Sequence, residues 1–479
     1  MKIGMISSEI SPLAKTGGLA DVVGSLSIAL ERLGHELCLI MPAYRSTLQG
    51  GFNLTNVPRD VTVPVSDRWE TARILKGSIG RDVTIYLVRA DHYFNREFLY
   101  GTKQGDYPDN LARFVFFTRS ALEILRHEHV EVIHCHDWQT SLTPVFLRTQ
   151  ALRYPEIASA KTVLTVHNIA FQGNFWRANW HYLNLDEYLF SPAYLEFYQN
   201  FSLLKGGLIF ADRITTVSPT HAGEIMTSEQ GFGLEGVLQQ RANDLIGILN
   251  GIDYDQWNPA VDPLITKQYS EDNLDGKRLC KDDLQRTMGL AIKPDVPLFG
   301  VISRLTSQKG IDLIEQIFSA LIQRDLQFVL LGTGESRYED FFTNAAAQFP
   351  GKVGVRIGFD ESLAHQIEAG ADIFLMPSLF EPCGLNQMFS LKYGTIPLVR
   401  AVGGLKDTVE DCNAEGSAGT GFIFQAYAAQ ELWKTIDRAL EAFSDKKSWN
   451  ALQRRAMSMD FSWDRSAGAY SRLYQELLA

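Results

Sequence analysis

The residues best suited to chemistry lie in one short stretch, Ser378 to Gly394, which reads S-L-F-E-P-C-G-L-N-Q-M-F-S-L-K-Y-G. A single carboxylate, Glu381, is followed at once by Pro382, Cys383 and Gly384. Glycine lets a backbone come close to a ligand, and the first N–H groups of a helix have no partner inside it. That helix end carries about half a positive charge, which suits a phosphate. A carboxylate beside a phosphate is useful where positive charge develops between them, as in an oxocarbenium-like glycosyl transition state. The competing reading is an ordinary strand–turn–helix corner with a solvated glutamate.

Two cations earlier in the chain, Arg304 and Lys309 in R-L-T-S-Q-K-G, offer the charge that a diphosphate needs. A third, Lys15, precedes Gly17 and Gly18 at the tip of a loop. His134 and His136 in H-C-H-D-W share one face of an expected strand and could form a metal pair. No third ligand has matching spacing, so His136, Asp137 and Trp138 read better as the lining of a cleft at a strand end. His167, Asn168 and Gly173 again put polar groups and a glycine just past a strand. Asp253-Tyr254-Asp255 has the form of a metal-binding D-x-D but sits in a turn-rich region, where such triplets are common.

The elements that must position these residues follow from periodicity. Lys2–Ser7 reads as a strand, the pattern Leu19, Val22, Val23, Leu26, Leu30, Leu33 as a helix ended by Gly34, and Glu36–Met41 as a second strand. Strand, glycine loop, helix, strand is the opening of a doubly wound sheet. Further strands are expected at Val61–Val65, Val83–Val88, Val130–Cys135, Lys161–His167, Arg213–Val217 and Leu245–Leu249, with a helix at Asn110–Arg126 and loop across Asp91–Asp109. Trp257–Lys293, rich in Asp, Asn, Pro and Lys, reads as a passage between domains. The architecture then repeats: strands at Leu298–Ser303, Gln327–Leu331, Val353–Gly358, Asp372–Met376, Ile396–Val399 and Gly421–Phe424, and a closing helix at Arg465–Leu478. Gly403-Gly404-Leu405 echoes Gly17-Gly18-Leu19. In open α/β sheets ligands bind at the carboxyl ends of the strands, where the loops carrying Lys15, His167 and Glu381 are expected.

Composition narrows the class. The chain has 479 residues, 45% of them hydrophobic, enough for two or three domains with ample core. A formal charge of −11 argues against bulk binding to nucleic acid but not against a small anion met by a local cluster of cations. Five cysteines without CxxC spacing argue against a disulfide framework and for a reducing cytoplasm. No apolar run approaches the roughly 20 residues of a membrane span. The phosphate loop G-x-x-x-x-G-K-[ST] and the dinucleotide fingerprint G-x-G-x-x-G are both missing, which excludes the usual nicotinamide-dependent dehydrogenase.

Seven motifs in order, K-T-G-G-L-A-D-V (15–22), H-C-H-D-W (134–138), T-V-H-N-I-A-F-Q-G (165–173), N-G-I-D-Y-D-Q-W-N-P (250–259), S-R-L-T-S-Q-K-G (303–310), F-E-P-C-G-L-N-Q (380–387) and G-G-L-K-D-T-V (403–409), resemble the glycogen and starch synthases of bacteria and plants. The likeness spans nearly the whole chain. It implies an α/β protein with two Rossmann-like doubly wound domains facing a deep cleft (the GT-B type): 1–247, on the acceptor side, with the closing helix 462–479 packed on it, and 248–461 on the donor side. It implies a retaining glucosyltransferase that moves glucose from ADP-glucose to the 4-hydroxyl at the non-reducing end of an α-1,4-glucan, with no metal or other cofactor. Carried over by motif, Lys15 would meet the donor diphosphate or its nucleoside end, with close backbone approach at Gly17 and Gly18. Arg304 and Lys309 would hold the phosphates, and the turn Cys383, Gly384, Leu385 would join them. Glu381 would face the donor glucose, His167 and Asp137 would contact the sugar near the reacting carbon, and Asn250 would sit by the sugar. Related retaining transferases carry a second glutamate where this chain has Phe389, so a ribose contact from that position is not expected. Two roles for Glu381 stay open, a covalent intermediate or support of a same-face displacement. The alternatives are a UDP-glucose-dependent enzyme and a silent glucan-binding homologue; the latter would be expected to have lost Glu381, Arg304 or Lys309, and all three are present.

Overall fold

The apolar run at the start of the chain becomes a central strand, Lys2–Ile6, of a largely parallel sheet. It pairs with Glu36–Pro42 on one side, Ile3 opposite Leu37, and with Val132–His136 on the other, Ile3 opposite Val132. Outward from there the order continues through Lys161–Val166, Arg213–Thr216 and Leu245–Gly247 in one direction and Val83–Arg89 in the other, all parallel. Near-continuous apolar strands of this kind are what a sheet covered on both faces requires. The computed structural model describes residues 1–102, 104–412 and 418–479. They divide into two units, Met1–Gly251 with Trp463–Ala479, and Ile252–Ser462.

Within the first unit, helix Gly18–Arg32 buries Val22, Val23, Leu26 and Leu30 of the expected face, while Leu33, just past its end, is exposed. One sheet edge differs from the expectation: Arg68–Ile79 is a twelve-residue antiparallel strand against Val83–Arg89. Its charged residues interrupt the apolar alternation, which hid it. Helix Trp463–Leu478 belongs to this unit, with Ala467, Tyr470, Leu473 and Tyr474 in the same core as Ile3 and Val132. The Ser466 hydroxyl donates to the Leu249 carbonyl at 2.6 Å.

The second unit carries a parallel sheet in the order Val353–Ile357, Gln327–Gly334, Leu298–Leu305, Ile373–Met376, Ile396–Arg400, Phe422–Phe424. Three neighbouring strands, Leu298–Leu305, Ile373–Met376 and Ile396–Arg400, therefore send their carboxyl-end loops to one place. Those loops hold Lys309, Glu381 and Gly403. The passage expected across Trp257–Lys293 is corrected here, because Asp275–Thr287 is a helix of this unit. Its buried face carries Lys277 and Lys281 beside Cys280 and Leu284, so no apolar stripe betrays it. Lys277 Nζ donates to the Ala369 carbonyl at 3.0 Å and to Thr395 at 2.7 Å, and Lys281 Nζ pairs with Asp372 at 2.7 Å. Among the described residues no helix is long and apolar enough to cross a membrane.

Candidate active site

The donor-side candidates converge in the second unit. A cavity of about 200 Å³ is lined by Arg304, Lys309, Ser378, Glu381, Gly384, Leu385 and Asn386, together with strand residues Ile302, Ser303, Leu375 and Met376. Glu381 is only 6% exposed, and its Oε2 accepts from Lys309 Nζ at 2.6 Å and from the Ser378 hydroxyl at 3.1 Å. The two charges come from loops 72 residues apart in sequence, brought together by adjacent parallel strands. Arg304 is exposed, with one long hydrogen bond from Nη2 to Gln308 Oε1 at 3.4 Å, so its guanidinium has donors to spare for an anion. Cys383 is buried and is not among the residues lining the cavity; its carbonyl accepts from Gln387 Nε2 at 3.0 Å.

The turn that carries Glu381 rests on Gly403 and Gly404. A Cβ on Gly403 would lie 1.9 Å from the Glu381 carbonyl oxygen, and one on Gly404 would lie 2.1 Å from that of Cys383. Gly403 also has φ of 41°, in the left-handed region that side chains disfavour. The Gly404 amide donates to the Glu381 and Pro382 carbonyls, both at 3.2 Å. Helix Asn386–Tyr393 then begins with no side-chain cap, and Asn386 Nδ2 ties it to the Ile302 carbonyl at 2.8 Å. Phe389, at the position of the second glutamate in related enzymes, is buried and stacks on Trp257 with centroids 3.9 Å apart.

The remaining candidates lie in the first unit, except Asp253 and Asp255, which belong to the second. Asp137 has φ of 56° and its Oδ1 accepts from the His167 amide at 2.7 Å. Burial pushes its carboxyl up to about 7, and the backbone amides of His167 and Asn168 resist that rise. His136 Nδ1 lies 3.0 Å from His167 Nε2. Burial holds His167 down to about 3, His134 to about 3 and His136 well below the usual histidine range. His134 and His136 do not form a metal pair: His134 is bonded to Thr165 at 2.6 Å and Tyr474 at 2.8 Å, and His136 to His167. Asp253 Oδ1 accepts the Asp255 amide at 2.9 Å, an ordinary Asx turn, and no group of three metal-ligating side chains is found among the described residues.

Lys15 pairs with Asp21 at 2.8 Å and is half exposed. Gly17 and Gly18 are exposed, and a Cβ on Gly17 would meet nothing within 4 Å. Asn250 is 6% exposed and its Oδ1 has no partner among the described residues. Ser378, Asn386 and Glu9 went unremarked in the sequence. Glu9 is buried and shapes the Lys15 loop by accepting from the Thr16 amide, the Thr16 hydroxyl at 2.6 Å and the Tyr100 hydroxyl at 2.6 Å. Nothing local in the sequence marks it, because its partners are recruited by the fold. A larger cavity of about 620 Å³ in the same unit, lined by Trp69, Arg119, Arg148 and Arg153, holds none of the candidate residues.

Comparison with known proteins defines the class first. Residues 2–240 match the starch synthase catalytic domain and residues 288–456 match the group 1 glycosyl transferases. The catalytic domain of starch synthase IV from Arabidopsis thaliana, bound to ADP and acarbose, superposes with a TM-score of 0.90 at 34% identity over 99% of each chain. Sucrose-phosphate synthase from Thermosynechococcus elongatus shares the fold, with a TM-score of 0.61 at 18% identity over 99% of this chain and 98% of that one. The chain is a glycosyltransferase of the GT-B fold. Among its relatives, glycogen synthase 2 of Geobacter sulfurreducens is 45% identical over 99% of this chain and 98% of its own. The glycogen synthase of Anaeromyxobacter sp. (strain Fw109-5) is 47% identical over the full length of both. The chain belongs to the glycogen and starch synthase family.

Proposed function

We propose that the chain transfers glucose from ADP-glucose to the 4-hydroxyl at the non-reducing end of an α-1,4-glucan, with retention of configuration and release of ADP. The observation that carries this reading is the Glu381–Lys309 pair in a cavity that Arg304 also lines. An ion-paired carboxylate stands ready to stabilise an oxocarbenium-like sugar, and two cations beside it suit a departing diphosphate. The Arabidopsis relative bound to ADP supports adenine as the base of the donor.

In this reading Arg304 and Lys309 hold the diphosphate, with Lys309 exchanging part of its bond to Glu381 for phosphate oxygen. Gly384 and Leu385 line the cavity and offer backbone to the donor; Cys383 contributes through the shape of its turn. Lys15, Gly17 and Gly18 supply a cation and open backbone to the same nucleotide sugar. His167 and Asp137 contact the glucose, and Asn250 turns its unpartnered Oδ1 to a sugar hydroxyl. With arginine and lysine neutralising the leaving group, the reaction needs no metal. The decisive experiment incubates the chain with radiolabelled ADP-glucose and glycogen in excess EDTA. Label in the polymer, released as glucose by an α-1,4-specific hydrolase, is the expected result. Label transferred only from UDP-glucose, or only after magnesium or manganese is restored, would overturn it, and the second outcome would bring Asp253 and Asp255 back as ligands.

A further inference from the structure

Three histidine rings line up at the carboxyl ends of two adjacent strands, but they are not wired alike. His134 and His136 have ring centroids 4.2 Å apart, and His136 and His167 5.3 Å apart. Both nitrogens of His134 are taken, Nε2 facing the Thr165 hydroxyl and Nδ1 the Tyr474 hydroxyl. Thr165 is in turn held by Thr215 at 2.5 Å. His134 therefore has no group left to bond its neighbour. His136 is fully buried, its Nδ1 faces His167 Nε2 at 3.0 Å, and its Nε2 has no partner among the described residues.

That asymmetry fixes where the protons are. A neutral imidazole carries one N–H, and one proton must lie between His136 Nδ1 and His167 Nε2. If it came from His167, the only proton on His136 would be on Nε2, a buried N–H with no acceptor. Among backbone groups orphaned buried donors are rarer than orphaned acceptors, and the same desolvation cost disfavours a buried ring N–H with no acceptor. The proton therefore sits on His136 Nδ1, the bare nitrogen is His136 Nε2, and His167 Nε2 accepts. Burial keeps both rings neutral, in line with their lowered proton affinity. The single proton of His167 must then be on Nδ1, the ring nitrogen turned away from His136.

We infer that His136 is a positioning residue that locks His167 into its Nδ1–H tautomer, so that the ring offers a bound sugar a hydrogen-bond donor instead of an acceptor. This rests on the reading of His167 as a sugar contact, and it extends that reading to a residue that touches no substrate. The sugar oxygen facing His167 must accept, which leaves its own hydroxyl proton to another partner. Without His136 the His167 ring is free to rotate and to exchange tautomers, and some of its states present a bare nitrogen to the sugar.

The test reads the tautomer directly. Long-range 1H–15N correlation spectra of the unaltered chain, labelled in histidine, should show His167 protonated on Nδ1 and bare on Nε2, and His136 likewise. A His167 ring protonated on Nε2 overturns the inference. In His136→Leu the His167 signal should shift towards Nε2–H, and kcat should fall about 10- to 100-fold, by analogy with loss of the orienting partner of a metal-bound histidine. KM for ADP-glucose should change much less. His136→Asn places an amide donor near the position of Nδ1 and should restore both the tautomer and most of the turnover. Equal activity in the Leu and Asn variants, or an unchanged His167 spectrum in the Leu variant, overturns the inference. If the unaltered chain transfers no glucose, the proposed function fails, yet the ring spectra still decide what His136 does.

Discussion

Removing Lys309 should damage catalysis and stability together, whereas removing Arg304 should damage catalysis alone. A preorganised group facing developing charge contributes about 2.7–4 kcal/mol, a factor of about 10² to 10³ in turnover. Either alanine variant should therefore lose roughly two orders of magnitude in kcat. The stability costs separate the two. Arg304 is exposed and makes one long hydrogen bond, so its loss should stay within about 0.5 kcal/mol. Lys309 is the counter-ion of a buried carboxylate, and breaking a fully buried pair costs about 3–5 kcal/mol. Here the Lys309 side chain is 19% exposed and Ser378 still donates to Glu381, which brings the figure down to about 1–3 kcal/mol. The double variant Lys309→Ala/Glu381→Gln leaves no buried charge unpaired, so it should recover most of the stability and none of the turnover. Urea titration of all four proteins, paired with initial rates of glucosyl transfer, makes the comparison. A Lys309→Ala variant with an unchanged urea midpoint would refute the buried-pair reasoning, and near-normal turnover in either single variant would refute the clamp.

Glu381→Gln should reduce kcat far more than donor affinity, because a carboxylate beside a developing oxocarbenium helps the transition state more than the bound donor; equal losses in rate and in ADP-glucose titration would reassign it to binding. Gly403→Ala should lower both activity and melting temperature, since its Cβ would lie 1.9 Å from the Glu381 carbonyl oxygen on a backbone at φ of 41°; a fully active, unshifted variant would show that the turn does not depend on that corner. The first unit should weaken as pH falls from about 6.5 towards 3, because unfolded histidines bind protons in that window while buried His134 and His136 and part-buried His167 do not. Asp137, raised to about 7, works in the opposite sense between about pH 4 and 7 and offsets one of those three protons. Melting temperature measured against pH tests the net sign, and a flat profile from pH 7 to 5 would contradict it.

Much of this was legible residue by residue. The parallel strands announce themselves as short β-branched runs, and their carboxyl ends name the loops that carry Lys15, His167, Lys309 and Glu381. What stayed hidden depends on partners distant in sequence. Helix Asp275–Thr287 buries lysines where a helix normally buries leucines, and those lysines are tolerable only because the Ala369 carbonyl, Thr395 and Asp372 meet them. Strand Arg68–Ile79 is charged along its length and is recognisable only by its pairing with Val83–Arg89. In the site itself, the motif containing Glu381 is obvious, but its direct bond to Lys309 is a property of strand order. The division of labour among the three histidines likewise depends on Tyr474, some 340 residues away from His134.

Helix Trp463–Leu478 sets an order on the life of the chain. The core that begins with Ile3 is completed by Ala467, Tyr470, Leu473 and Tyr474, which leave the ribosome after the whole of Ile252–Ser462 has been made. At roughly 5–20 residues per second, the nascent first unit waits many seconds for the helix that covers it, and for the hydroxyl that fixes His134. The second unit has no such debt, being continuous in sequence. A chain released early would lack those four side chains and leave apolar surface of the first unit exposed to proteases and chaperones. The first half of the polypeptide is therefore the part that waits on that helix.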